Sequence, residues 1–248
     1  MNTIVYDKWL SVILGKKAYA IVDSNFCFER VGLPGSNEYR HLAQLVKEPV
    51  FIYAKVPSAQ KKALALLQSY EFRVVETSLL MHRAPQPGLL VSGRLHVRRA
   101  IKKDETAICE LAGRSFSFSR FHRDSAIDNA LADKIKVEWT RSYFKGQRGD
   151  AMFVAIYNVD IVGFVLLIDK AEDRVGIDLM AVDAASRRTG IATALISAVE
   201  LHYKDKQRIT VGTQAVNIPS VRFYKKRGFR LFQSRHVLHY HGPGLSIG

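Results

Sequence analysis

The segment from residue 175 to residue 204 constrains the fold most strongly, because an apolar strand leads there into an amphipathic helix through a basic turn. The strand covers residues 175–182 and the helix residues 191–204, with Arg187-Arg188-Thr189-Gly190-Ile191-Ala192 at the join. Such a turn leaves backbone N–H groups free at a helix start, where the helix dipole also favours negative charge. Gly190 permits close approach to the backbone, and the arginines add charge-assisted hydrogen bonds. The stretch therefore predicts a phosphate-binding site in an α/β protein.

Two further motifs lie at fixed distances from this turn. Asn217, 27 residues after Gly190, opens the run NIPSVRFYKKRGF, and the upstream run VRRA precedes Asp104. Asp104 is the predicted N-cap of a helix whose apolar stripe is Ile108, Leu111 and Ala112. In order and spacing these motifs resemble the GNAT superfamily of N-acetyltransferases, with its phosphate loop R/Q-x-x-G-x-G/A, its closing helix N-x-x-A/S-x-x-F/L-Y-x-x-x-G-F and its opening strand I-R-x-A.

This resemblance implies a mixed central sheet flanked by helices, and acetyl-CoA as cosubstrate without a metal ion. In the superfamily the strand before the phosphate loop splays from its neighbour, and the pantetheine arm pairs with its exposed main chain. The resemblance thereby assigns cofactor binding to Met180, Ala181, Val182, Arg187, Arg188, Thr189, Gly190, Ile191, Ala192, Thr193, Asn217 and Tyr224. We expect the pyrophosphate to lie on the backbone N–H groups from Arg187 to Thr193.

Two catalytic roles are predicted, each with an alternative. The resemblance places the hydroxyl of Tyr224 beside the thioester sulfur, and a phenol stays protonated at neutral pH and can neutralise a departing thiolate. Alternatively, Tyr224 only packs with Phe223 against the sheet. Asp178 lies on the acyl-carrying strand and is a candidate base, although it could pair with an arginine or face solvent. His122 is another candidate because histidine titrates near neutrality, and no base is needed if the amine arrives neutral.

The N-terminal third predicts a smaller, incomplete half with the same β-α-β order. Residues 50–56 and 72–81 are predicted strands, and Ser58 is the predicted cap of a helix with Ala63 and Leu67 on its apolar face. Aligning Phe72 with Phe229 reveals a faint repeat of the C-terminal segment. The Pro- and Gly-containing stretch 84–94 marks a boundary, which gives domains at 1–93 and 94–248. The first lacks a phosphate loop, so we expect it to shape the structure without binding coenzyme A.

The arrangement of a degenerate N-terminal half followed by a complete catalytic half is similar to that of the TDP-fucosamine acetyltransferases of bacterial polysaccharide synthesis. Their S-R-F loop is matched by Ser119, Arg120, Phe121 and His122, and the resemblance places these residues near a sugar nucleotide. The expected reaction is acetyl transfer to the amine of a nucleotide-linked amino deoxysugar. A protein or peptide acetyltransferase and a non-catalytic coenzyme A sensor are the alternatives.

Composition separates these alternatives only partly. The formal net charge is +14, and residues 94–248 hold 26 Lys+Arg against 16 Asp+Glu, so the excess lies mainly in the half that contains the predicted phosphate loop. Without a basic run or a nucleic-acid-binding signature, we expect anionic small molecules rather than RNA or DNA as partners. Cys27 and Cys109 have no metal-ligand spacing. With no predicted membrane span or signal peptide, we expect a cytoplasmic enzyme, for which a homodimer is left open.

Overall fold

A ten-stranded sheet forms the centre of the protein in the computed structural model, which describes residues 3–22, 35–86 and 95–243. The strands are β1 (Ile4–Tyr6), β2 (Ala18–Ile21), β3 (Phe51–Pro57), β4 (Arg73–Arg83), β5 (Leu95–Arg99), β6 (Ala151–Tyr157), β7 (Asp160–Ala171), β8 (Arg174–Val182), β9 (Arg208–Gln214) and β10 (Arg230–His241). The described helices are α1 (Lys8–Leu14), α2 (Asn37–Leu45), α3 (Lys61–Ser69), α4 (Glu105–Gly113), α5 (Asn129–Phe144), α6 (Ile191–His202) and α7 (Ile218–Lys226). The mixed sheet with flanking helices confirms the predicted fold class.

The order of the strands interleaves the two ends of the chain. Across the sheet the order is β1-β2-β3-β10-β4-β9-β8-β7-β6-β5. The C-terminal strand β10 therefore lies between β3 and β4, and pairs antiparallel with both. Strand β4 in turn pairs with β9. The predicted division at residue 93 stays a prediction; residues 87–94 of the boundary lie outside the described residues.

The repeat noticed between Phe72 and Phe229 extends over whole elements. Strand β3 begins at residue 51 and β9 at residue 208, an offset of 157, and α3 with α7 and β4 with β10 begin at the same offset. Inside the antiparallel β4–β10 ladder one residue of each strand is skipped, Val75 and Phe232, and these two are also 157 apart. An approximate two-fold axis thus relates the two β-α-β units and passes between β4 and β10.

Apolar side chains cover both faces of the sheet in the C-terminal half. On one face Ile191, Leu195 and Val199 of α6 join a buried cluster with β6, β7 and β9. On the other face Ile108 and Leu111 of α4 are fully buried, as their predicted stripe requires. The N-terminal half has its own cluster, built from α2, α3, β3 and β10. Among the described residues, no helix has the length and hydrophobicity needed to cross a bilayer.

Of two predicted helix caps, Ser58 is wrong, and Asp104 is the N-cap residue of α4 as predicted but caps it without a side-chain bond. Helix α3 begins after Gln60 without any side-chain cap, so Ser58 does not start it. Asp104 does precede α4, but it makes no cap bond to that helix. Its carboxylate instead accepts hydrogen bonds from the Ile101 backbone (2.8 Å) and from the Arg98 guanidinium (2.7 and 2.9 Å). Asp104 therefore fixes the turn between β5 and α4.

Candidate active site

The sheet opens between β8 and β9. These parallel strands pair only from Arg174 and Arg208 to Ile177 and Val211. Beyond that point β8 continues beside β7 to Val182, while β9 stays with β4. The main chain of residues 178–182 therefore faces the opening on one edge, where an extended ligand can pair with it like an added strand.

A cavity of about 1180 Å³ lies at this opening. Its walls come from β8, β9, the start of α6, α7 and the segment 115–119. Most of the residues predicted to act in the site line it: Ser119, Asp178, Met180, Ala181, Val182, Arg187, Arg188, Gly190, Ile191, Ala192, Thr193, Asn217 and Tyr224. The predicted residues Thr189, Arg120, Phe121 and His122 are not part of this lining.

The loop before α6 presents the helix start to the cavity. Gly190 is the N-cap residue with φ of 92°, and no side chain caps the helix, so its first N–H groups remain available to an anion. Arg188 also has a positive φ, 65°. Arg187 Nε donates to the carbonyl of Val182 at 3.3 Å, which holds this arginine against the end of β8. Thr189 closes the turn through a 2.7 Å hydrogen bond to the carbonyl of Ser186.

Tyr224 lies in the cavity wall on α7 and is only 5% exposed. Its ring packs against Phe223 and Phe229 at centroid distances of 5.2 and 5.3 Å, and the acid role of its hydroxyl stays a prediction. Burial raises the pKa of Tyr224 well above its ordinary value, which keeps its proton in place. Asn217 caps α7 by accepting from the backbone N–H of Ser220 at 3.2 Å.

Asp178 lines the cavity but is already paired. Arg148 donates to both carboxylate oxygens at 2.6 and 2.7 Å, and the Trp139 indole donates at 2.7 Å. These bonds stabilise the charged carboxylate and occupy the positions at which it would accept a proton. The geometry therefore agrees with the arginine pairing considered for Asp178 and disagrees with the role of general base.

Ser119, His122 and Asp133 form a hydrogen-bonded chain that leads away from the cavity. Ser119 Oγ lies 2.7 Å from His122 Nδ1, and His122 Nε2 lies 2.9 Å from an Asp133 carboxylate oxygen. The His122 side chain is 7% exposed, whereas that of Asp133 is 48% exposed. A hydroxyl in the cavity wall is thus connected through a buried imidazole to a solvent-exposed carboxylate.

The two central residues of the S-R-F loop lie outside the cavity lining, and their contact with the substrate stays a prediction. Phe121 is completely buried and packs in a cluster with α1 and α5, so its side chain supports the loop. The Arg120 guanidinium stacks on the ring of Tyr53 from β3, 3.9 Å from its centroid. Its Nη1 is buried without a hydrogen-bond partner. Arg120 therefore points toward the N-terminal half.

Asp124, at the end of the same loop, binds two histidines of β10. Its Oδ2 lies 2.6 Å from His239 Nδ1 and 2.8 Å from His241 Nε2. A carboxylate with two imidazoles is a common metal-ligand set, but these separations are those of direct hydrogen bonds. The absence of a metal from the mechanism stays a prediction.

Sequence reasoning missed Lys136, Trp139 as a partner of Asp178, and Arg148. Lys136 lies on α5 and lines the cavity although only 7% of the residue is exposed. Its ammonium is 4.7 Å from the Trp139 ring centroid and 5.1 Å from that of Phe116. A lysine within an amphipathic helix carries no local signal for such a position, because its environment depends on how α5 packs.

The comparisons with known proteins agree with this geometry. Residues 107–229 match the model of the Acetyltransferase (GNAT) family. The chain carries a GNAT acetyltransferase domain. The match covers the phosphate loop, the diverging strand and Tyr224, which the resemblance had predicted to act together.

Relatives extend the likeness beyond this domain. The spore coat polysaccharide biosynthesis protein SpsD of Bacillus subtilis is 35% identical over 138 residues, which are 55% of this chain and 47% of that protein. The chain thus spans about half the length of that relative. A GNAT protein of Sphaerobacter thermophilus is 17% identical, with a TM-score of 0.61 over 93% of this chain and 75% of its own. A tandem GNAT protein from the clavulanic acid pathway is 12% identical, with a TM-score of 0.62 over 92% and 76%.

Proposed function

We propose that the protein transfers an acetyl group from acetyl-CoA to the amine of an amino deoxysugar carried on a nucleotide. The observation that carries the proposal is the cavity at the β8–β9 opening, which combines an uncapped helix start, an unpaired strand edge and a buried tyrosine. The pyrophosphate of coenzyme A binds at Gly190 and the N–H groups after it. The pantetheine arm runs along residues 178–182, with Met180 and Val182 contacted through their main chain.

Tyr224 is the general acid in this mechanism. The amine attacks the thioester carbonyl, the carbon–sulfur bond breaks, and the departing thiolate takes the phenolic proton. Because burial raises the pKa of Tyr224, the phenol is fully protonated at neutral pH, and it regains its proton from solvent after each turnover. Main-chain groups of β8 at the opening stabilise the oxyanion.

The proton lost by the amine leaves through Ser119. As the new amide bond forms, Ser119 Oγ accepts the amine proton and passes its own to His122 Nδ1, while Asp133 holds the opposite ring nitrogen. Paired Asp178 is not needed for this step. The hydrogen-bonded chain gives the proton a route from the cavity to the surface, as a general base requires.

The amino sugar is favoured over a peptide by two observations. The cavity wall includes the buried cationic group of Lys136, and the relative SpsD is named as a polysaccharide biosynthesis protein. The competing candidate is a protein or peptide acetyltransferase, for which the net charge of +14 argues slightly. A third candidate, a non-catalytic coenzyme A sensor, would not require Tyr224, so the presence of this residue argues against that role.

The test is acetylation of a panel of acceptors with release of free coenzyme A thiol as the readout. The panel holds amino deoxysugars on thymidine and uridine diphosphate, the corresponding free amino sugars, and amino-terminal peptides. We expect turnover on the nucleotide-linked sugars and none on the peptides. Turnover on peptides alone would reject the proposal, and binding of acetyl-CoA without turnover on any acceptor would favour the sensor.

A further inference from the structure

Four charged side chains meet where the N-terminal half packs against the C-terminal half. We call them the cationic cluster: Lys55 on β3, Glu76 on β4, Arg120 in the S-R-F loop and Lys136 on α5. The Glu76 carboxylate interacts electrostatically with all three cations. Lys136 also lines the cavity, so the cluster adjoins the proposed active site. The mechanism above uses none of its members.

The three cations of the cluster have no carboxylate bound to them. Among the described residues no ion pair includes Lys55, Arg120 or Lys136, and Arg120 Nη1 is buried without a partner. Aromatic faces hold the cations in place instead: the Tyr53 ring under Arg120 at 3.9 Å and the Trp139 ring near Lys136 at 4.7 Å. An unpaired buried charge is costly for folding, so the arrangement is explained better by a bound anion than by stability.

The local charge balance sets the charge of that anion. Asp178 also lies near Lys55 and Lys136, but its charge is matched by Arg148. Glu76 is the carboxylate that interacts with all three cations, and Asp7 interacts with Arg120. The three cations therefore exceed these two carboxylates by about one positive charge. Lys136 is buried, and desolvation lowers its pKa to about 8, whereas Lys55 is exposed. An anion bound between the two lysines would raise the pKa of Lys136 and reduce the positive excess.

We propose that the cationic cluster binds the diphosphate of the acceptor substrate. This inference rests on the proposed function and assigns its acceptor to a site built by both halves of the chain. Lys136 reaches the diphosphate from the cavity wall, and Lys55 and Arg120 reach it from the junction of the halves. The N-terminal half, which lacks a coenzyme A site, thereby supplies a substrate-binding residue. A nucleoside diphosphate and an isoprenoid diphosphate share this chemistry.

Calorimetric titration with coenzyme A at saturation tests the proposal, because the phosphate loop is then occupied. The probe is thymidine diphosphate, compared with thymidine monophosphate and farnesyl diphosphate. We expect the Lys55→Gln and Lys136→Met variants to bind thymidine diphosphate about 10-fold more weakly or worse, as loss of one charge-assisted contact implies. Their affinity for coenzyme A should stay unchanged. The matched control is Lys62→Gln, an exposed lysine on α3.

The outcomes separate this proposal from the proposed function. Equal binding of thymidine diphosphate by wild type and both variants would overturn the cluster as its site, and so would equal affinity for the monophosphate. If wild type prefers farnesyl diphosphate and the same variants lose this preference, the cluster is still a diphosphate site, but the acceptor is carried on a lipid and not on a nucleotide. Charge-dependent diphosphate binding without acetylation of any amino sugar keeps the site while the proposed function fails. Thermal melting of each variant establishes that it is folded.

Discussion

At the scale of single residues, Tyr224 combines burial with access to the reaction cavity. Its ring is held between Phe223 and Phe229, and its residue surface is 5% exposed, yet it is part of the cavity lining. Burial raises its pKa, so the phenol does not lose its proton at any pH below the ordinary tyrosine value of about 10. The raised pKa keeps the proton on Tyr224 but also makes the phenol a weaker acid, so proton transfer to the thiolate is less favourable than from an ordinary tyrosine.

We predict that Tyr224→Phe lowers turnover by about 10²–10⁴, the usual effect of losing a positioned acid. The ring and its packing are retained, so coenzyme A affinity and the melting temperature should change little. Steady-state kinetics and calorimetry measure these quantities. The control is Tyr157→Phe, at a tyrosine that is 44% exposed on β6. Normal turnover in Tyr224→Phe would remove the acid role.

The relay through Ser119 makes a separate prediction. Ser119→Ala and His122→Gln should each lower kcat, and the double variant should be little worse than either single variant, because both break one proton path. His96→Gln, at an exposed histidine of β5, is the matched control. Additive losses in kcat would mean that Ser119 and His122 act independently, and unchanged kcat would leave the amine without a protein base.

At the scale of elements, the phosphate loop depends on the backbone of Gly190. Its φ is 92°, and a Cβ at this position would meet nothing within 4 Å. A side chain there would strain the turn and project over the helix start that binds the pyrophosphate. We predict that Gly190→Val weakens coenzyme A binding by at least 10-fold in calorimetry, which corresponds to about 1.4 kcal/mol.

Gly35 provides the control for this effect. It has the same φ of 92° and equally open surroundings, but it lies at the start of α2 and outside the cavity lining. Gly35→Val therefore introduces a comparable backbone strain without obstructing an anion. If both variants lose the same affinity for coenzyme A, the loss comes from general destabilisation and the loop assignment fails.

Local elements were predictable from the sequence because their signals are local. The strand before Arg187, the stripe around Ile108 and the repeat between Phe72 and Phe229 all follow from periodicity and motif spacing, and the structure contains each of them. The partners of Asp178 and the position of Lys136 depend on packing between distant segments. No pattern within α5 or β8 encodes them. The position of β10 between β3 and β4 could not be predicted from the sequence either, because it depends on which strands pair with each other.

At the scale of the whole molecule, this insertion makes the two halves interdependent. Residues 1–93 supply both strands that pair with β10, and β4 also pairs with β9. The buried ion pair between Arg83 of β4 and Glu200 of α6, at 2.6 Å, crosses the same junction. Deletion would leave open strand edges and a buried carboxylate without its main partner.

We therefore predict that a fragment of residues 94–248 is insoluble when expressed alone. Co-expression with residues 1–93 should recover soluble, acetyl-CoA-binding protein, because the missing strands are restored. Size-exclusion chromatography and calorimetry measure both results. A soluble and fully active fragment without its N-terminal half would contradict this interdependence and also the contribution of Lys55 to the acceptor site.

The histidines of β10 give the whole molecule an acid-sensitive link. His239 is 1% exposed, and burial lowers its pKa to about 4 despite the bond to Asp124. Burial alone would raise the pKa of Asp124, but the hydrogen bonds from His239 and His241 hold it below its ordinary value. An unfolded histidine takes up a proton near pH 6.5, so His239 favours the folded state fully above that pH. The stability that His239 contributes is lost as the pH falls from 6.5 toward 4. The stability that Asp124 contributes is lost only at a pH below the ordinary pKa of aspartate.

We predict that the melting temperature falls steadily as pH decreases from 6.5 to 5, a window in which ordinary carboxylates stay charged. His239→Gln should melt lower at pH 7, because Asp124 loses one hydrogen bond, but its melting temperature should depend less on pH across this window. His96→Gln, at an exposed position, should keep the wild-type slope. Glu76 and Glu200 have raised pKa values and oppose the trend, so slopes are compared between variants. Equal slopes in wild type and His239→Gln would mean that His239 does not set the acid limit of the fold.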